Sequence, residues 1–135
     1  MNTPVSSELA KLLKEKRFDV PVRNYYLQKE KGNYLHEGFE DSYWGDYRIV
    51  NWNKDVVGIK PFEGFLSAPT IAEVVMWLYE KHGIWVYLVP AEDNKEVFKP
   101  FFRGKNIIDQ HLTEFFESPT EAYEAAIDYT LKNLI

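Results

Sequence analysis

The stretch that most constrains this chain is a doubly capped helix running straight into an apolar strand, residues Ser67 to Pro90. Thr70 with Glu73 three residues on is a capping box. Hydroxyl and carboxylate each take up a backbone N–H that the first helical turn leaves free. At the other end Gly83 supplies the left-handed conformation that stops a helix, and Ile84 the apolar contact beyond it. Lys81 and His82 place cations at the negative end of the dipole. Between the caps, Ile71, Val74, Val75, Met76, Trp77, Leu78 and Tyr79 leave little polar face, which predicts a helix buried on most sides, the spine of the core. Ile84 to Val89, closed by Pro90, follows as a strand.

A chain of 135 residues matches one globular domain, 1–135, with residues 1–5 flexible, and is long enough to bury a core without staples. With no cysteine there is no disulfide, thiolate zinc site or cysteine nucleophile. The N-terminus lacks an apolar signal core, and no apolar run approaches the roughly 20 residues that span a bilayer, so the expectation is a soluble, cytoplasmic protein with no membrane partner. Net charge is −5, which argues against duplex DNA or RNA as a partner, because phosphate contacts need a basic surface. The charge is unevenly spread: residues 1–35 carry net +3 and the remainder −8, with six acids and no Lys or Arg from Asp109 to Asp128. That polarity suits a protein partner or a homo-oligomer, or simply two solvated faces.

The remaining elements follow from local pattern. Ser6 or Ser7 caps a first helix with Leu9, Leu12 and Leu13 as its apolar stripe, ending near Arg17 and Phe18. Val22 to Gln28 reads as a strand ending at the turn-like Lys29 to Asn33, and Tyr47 to Trp52 as a second strand. Residues 54–66 read as an irregular loop. Val97 to Phe102 returns after the polar Ala91 to Glu96 to make a hairpin with the strand before it, and Pro100 there suggests an edge strand or a bulge. Arg103 to Asn106 is a turn, and a short strand is placed around Glu114 to Phe116. Ser118-Pro119-Thr120-Glu121 starts a last helix that runs nearly to Ile135, with Tyr123, Ala126, Ile127, Thr130, Leu131 and Leu134 on one face. The sum is an α+β domain of three helices and about four mainly antiparallel strands, in the order α-β-β-α-β-β-α.

Several segments together carry a resemblance: Leu9-Ala10-Lys11-Leu12-Leu13-Lys14-Glu15-Lys16 with Phe18-Asp19, then Asn51-Trp52-Asn53, then Ser67-Ala68-Pro69-Thr70 with Trp77-Leu78 and Glu80-Lys81-His82-Gly83-Ile84, and finally Ser118-Pro119-Thr120-Glu121-Ala122 with Ala125-Ala126-Ile127. They resemble a family of small proteins encoded by phages, prophages and other mobile elements of Bacteroides-like bacteria. The resemblance implies a genomic setting and transfers no catalytic residue. Arg17 departs from it, standing where such sequences often carry glycine, which argues for a looser exit from the first helix than a left-handed cap.

No G-x-S-x-G, P-loop or dinucleotide fingerprint occurs, so no catalytic residue is assigned and the chain reads as a non-enzyme without cofactor. His36, His82 and His111 lack the i, i+4 spacing of a helical metal site, and Glu37, Glu40 and Asp41 lie in polar loop text. The candidate surface is the aromatic segment Tyr43, Trp44, Tyr47, Arg48 and Trp52. Rings with an arginine among them anchor protein interfaces or stack single-stranded bases; they also cover cores. The sequence therefore points to a non-enzymatic accessory or interaction protein, with single-stranded nucleic-acid binding as the alternative.

Overall fold

In the computed structural model, residues 1–29, 32–37, 53 and 65–135 are described, and they divide into two compact units: Pro4–Pro69, and Thr70–Ile135 together with Met1–Thr3. The chain is α+β, with three helices and two three-stranded antiparallel sheets among the described residues. The order agrees roughly with expectation, but six strands are seen among the described residues where about four were expected; the strand expected over Tyr47 to Trp52 lies outside the described residues, and Gly32–Glu37, Phe65–Ser67 and Ile107–His111 are strands beyond those expected.

The first unit begins with α1, Ser7–Glu15, whose start is fixed by Ser6 Oγ accepting from the Leu9 N–H at 3.3 Å. Leu9, Ala10 and Leu13 form its buried stripe. Its exit corrects the sequence expectation. Arg17 adopts φ +62°, the Phe18 N–H donates to Leu13 O at 2.9 Å and the Arg17 N–H to Lys14 O at 3.0 Å, the two-bond Schellman closure usually built on glycine. Phe18 and Leu13 are both fully buried, so the apolar contact that accompanies this closure offsets the roughly 1–2 kcal/mol that a side chain costs in the left-handed region.

Strand β1, Asn24–Lys29, is central between β2, Gly32–Glu37, and β3, Phe65–Ser67. The hairpin runs from Asn24 opposite Glu37 to Lys29 opposite Gly32, so His36 and Glu37 stand in a strand and not in a loop. Tyr25, Tyr26 and Leu27 oppose Ser67, Leu66 and Phe65, which converts the end of the expected 54–66 loop into an edge strand. Asn53 holds that edge. Its Oδ1 accepts from the Ser67 N–H at 2.9 Å while its Nδ2 donates to Phe18 O at 3.1 Å, tying the exit of α1 to β3. Val5, expected to be loose, is fully buried and donates its N–H to Pro69 O, and its carbonyl accepts from Tyr26 Oη at 2.7 Å. With Leu9, Leu13, Val22, Tyr25 and Leu66 it forms the core, and burial pushes the Tyr25 hydroxyl above its ordinary pKa.

The second unit opens on α2, Ile71–His82, with both arms of the Thr70 and Glu73 capping box present and Gly83 at φ +67°. Residues 1–3 are tied here as well, because Thr3 O accepts from the Ile71 N–H and Met1 O from the Ala72 N–H. Ile71, Val74, Val75, Trp77 and Leu78 are buried. Met76 and Tyr79 are not, at 44% and 53% exposed, which corrects the expectation of a helix buried on most sides.

Strands β4, Trp85–Pro90, β5, Phe98–Gly104, and β6, Ile107–His111, form the second sheet in that order. β5 is therefore central and not an edge, and the expected turn begins only after Gly104. Pro100 is accommodated because its N lies on the same side as its carbonyl, which accepts from the Leu112 N–H one residue beyond the last β5–β6 pair, so the missing N–H falls past the end of that ladder and faces away from β4. The irregularity in the strand lies between Phe102 and Gly104. Strand β6 replaces the short strand expected near 114–116, where a single bridge pairs Phe98 with Phe116. Helix α3, Pro119–Asn133, begins at Ser118, whose Oγ accepts from the Glu121 N–H. Its buried Ala122, Ala126, Ile127, Thr130 and Leu131 pack on β4, β5 and α2, and Asp128 and Lys132 pair at 2.9 Å on its outer side.

Candidate functional site

Among the described residues the second sheet has one covered face and one more exposed face, and the register decides which residues stand on each. Side chains alternate along a strand, and directly opposed residues share a face. Val86 opposes Phe102, both are 1% exposed, and the Phe102 ring lies 5.4 Å from that of Tyr129 on α3; this is the covered face. The opposite face carries Trp85, Tyr87 and Val89 of β4, opposed in order by Arg103, Phe101 and Lys99 of β5, with His111 of β6 opposite Phe101.

These residues form a continuous ring surface. Tyr87 and Phe101 stack at 5.7 Å between centroids, and Phe101 and His111 lie 5.1 Å apart. Lys99 Nζ sits 5.3 Å from the centroid of Phe115, itself more than half exposed. At the other end, Tyr79 of α2 meets Trp85 edge to face at 5.3 Å. Offset and edge-on pairs of this kind hold rings in fixed orientations without removing them from solvent.

Where α2 meets this face there is an open groove of about 560 Å³, lined by Met76, Tyr79, Gly83, Trp85, Arg103 and Gly104. Both glycines suit this geometry. Gly83 holds the left-handed φ, and a Cβ on Gly104 would come within 3.1 Å of Gly83 O and 3.3 Å of Ile107 Cδ1. The close backbone approach brings the end of α2 beside β5 and forms the groove floor. A second hollow of about 360 Å³ shares Arg103 and Gly104 and extends to Ile107 and Ile108.

The segment favoured by sequence, Tyr43, Trp44, Tyr47, Arg48 and Trp52, lies outside the described residues, as do Glu40 and Asp41. Of the histidines, His36 stands in β2, His82 meets the Trp77 ring edge to face at 4.8 Å, and His111 belongs to the ring surface. Among the described residues, no group of three or more His, Asp or Glu is placed to hold a metal ion, and no helix is long and apolar enough to cross a membrane.

Sequence reasoning missed Met76, Tyr79, Trp85, Tyr87 and Phe101 because each falls within an apolar run, and Arg103 because it reads as the start of a turn. A signal was present in β5, where Lys99 and Arg103 stand two residues either side of Phe101. With a period of two, those charges mark the solvent face and carry Phe101 with them. The chain matches no family model, no curated protein and no solved structure.

Proposed function

We propose that this chain is a non-enzymatic protein-interaction protein, an accessory of a phage or other mobile element as its resemblance implies, and that the open face of the β4-β5-β6 sheet is its contact surface. The observation that carries this reading is the continuity of exposed Tyr79 and Trp85 with half-buried Tyr87 and Phe101, and with Met76 and Arg103 beside them. Tyr, Trp, Phe, Met and Arg are the residue types enriched at protein interfaces, and contiguity distinguishes an interface from scattered surface rings. The rings are held by one another and by the sheet, so little side-chain entropy is lost on binding.

The test is retention of a co-purifying or genomically neighbouring protein on immobilised chain, compared with a Tyr87→Ser, Phe101→Ser double variant whose far-UV dichroism and melting remain close to the parent. Retention lost in the variant supports the reading. Equal retention by both sinks it.

The ring surface, flanked by Lys99 and Arg103, is also the kind on which single-stranded bases stack. Charge decides against that reading: residues 70–135 carry six Lys and Arg against eleven Asp and Glu, the wrong sign for a backbone-tracking groove. Tight, steeply salt-dependent binding of oligothymidylate would reverse this choice.

A further inference from the structure

We infer that the groove between the end of α2 and strands β4 and β5 selects an acidic peptide segment, seating a large apolar side chain on Met76, Tyr79 and Trp85 and pairing the adjacent Asp or Glu carboxylate with Arg103. This rests on the protein-interaction reading and names what the surface recognises. Among the described residues the groove is apolar except at one point: of the lining residues Met76, Tyr79, Gly83, Trp85, Arg103 and Gly104, Arg103 alone carries charge. It is exposed and has no ion-pair partner among the described residues, whereas the other cation of this face, Lys99, is engaged over Phe115. A guanidinium beside an aromatic wall offers a planar fork that matches one carboxylate, and it complements a singly charged group next to an apolar anchor. The thioether of Met76 adapts to differing anchor shapes, so selectivity for the anchor is for size more than identity.

The carboxylate is assigned to a side chain and not to a peptide C-terminus. Terminal carboxylates are captured by free backbone N–H groups. Here the Gly83 and Ile84 N–H groups already donate to Tyr79 O and Leu78 O at 2.9 and 3.1 Å. The groove is open, so a chain can run through it, and its volume lies within the range of ligand sites that take a large side chain with its flanking backbone.

The experiment is an amide-resolved NMR titration of the full chain, reading the Trp85 indole and Arg103 signals. The probes are acetyl-Gly-Phe-Glu-Gly-amide, its Gln counterpart, acetyl-Gly-Phe with a free C-terminus, and oligothymidylate, each against the parent and Arg103→Gln. The expected result is about fivefold tighter binding of the Glu peptide than the Gln peptide, a preference lost in Arg103→Gln and reduced by added salt. Equal binding of the Glu and Gln peptides at Trp85, a preference that survives in Arg103→Gln, or tighter binding of the free C-terminus overturns the carboxylate assignment while leaving the interaction surface standing. Oligothymidylate shifting the whole ring face while no peptide does so overturns both.

Discussion

Asn53→Ala tests whether one side-chain amide fastens the edge of the first sheet. In the parent, Asn53 gives one hydrogen bond to Phe18 O at 3.1 Å and receives one from the Ser67 N–H at 2.9 Å. Ser67 and Phe18 are essentially inaccessible to water. Stranding the Ser67 donor costs about 1–3 kcal/mol, and losing the bond to the Phe18 carbonyl about 0.5–1.5 kcal/mol, for an expected loss of about 2–3 kcal/mol once partial hydration of the vacated site is allowed for. Asn53→Asp separates the two bonds. A carboxylate still accepts from Ser67 N–H but confronts the Phe18 carbonyl with a second acceptor, raising the pKa of the introduced acid in the folded state. The linkage sign follows: the protonated form donates to Phe18 O, so the penalty is absent below the unfolded pKa of about 3.9 and develops as pH rises through the folded value. The assays are urea denaturation followed by far-UV dichroism and amide exchange at Ser67. A loss below about 0.5 kcal/mol in the Ala variant with Ser67 still protected, or an Asp variant whose deficit does not shrink on acidification, would refute the reasoning.

Thr70→Ala removes the hydroxyl arm of the capping box, in which Thr70 Oγ1 accepts from Glu73 N–H and Glu73 Oε1 from Thr70 N–H. It should lower stability by about 1 kcal/mol in urea melts, with Thr70→Ser close to the parent. Thr130 is fully buried, with its hydroxyl donating to Ala126 O at 2.8 Å. Thr130→Val removes donor and polar group together and should be nearly neutral, whereas Thr130→Ser deletes a buried methyl and should cost about 1 kcal/mol by the same assay. Burial raises the hydroxyl pKa of Tyr25 and Tyr123. Each therefore contributes stability that is complete below the unfolded pKa of about 10 and is lost as pH rises through the folded value. Alkaline melts should show that decline, and Tyr25→Phe or Tyr123→Phe should flatten it; an unchanged slope in both variants would refute the burial argument.

The features legible in the sequence are those decided within a few residues. Helix starts at Thr70 and Ser118 and the stop at Gly83 depend on local backbone donors and acceptors and are found where the residue types place them, and of Ser6 and Ser7, either of which could cap the first helix, Ser6 does so. The strands that escaped are short or mixed in composition, so the pattern within each does not single it out and the partner that supplies the ladder fixes it. Gly32–Glu37 exists by pairing with β1, Phe65–Ser67 by pairing with β1 and by the Asn53 clip, and Ile107–His111 by pairing with β5. Arg17 belongs to the same class. Its left-handed φ is unfavourable locally and is maintained by the burial of Phe18 and Leu13, which no inspection of residue 17 could reveal.

The candidate site was hidden for a different reason, one that lies in how a hydrophobic helix is read. Counting apolar residues between Thr70 and Gly83 makes α2 appear buried all round, but phase matters more than number. Ile71, Val74, Val75 and Leu78 recur at i, i+3, i+4 and i+7 and account for one complete buried face. On the far side, Glu73, Met76 and Glu80 recur at i, i+3 and i+7, with Tyr79 adjoining, so Met76 and Tyr79 share their strip with two carboxylates. A strip that keeps Glu80 in water and Glu73 at the surface, where it caps the helix start, keeps its apolar members outward too, and Tyr79 meets the Trp85 ring edge to face. The same logic applies to β5, where Lys99 and Arg103 hold Phe101 outward. In both elements the charged residues are the informative ones. They fix which side faces solvent, and the apolar residues in phase with them form the surface left for a partner.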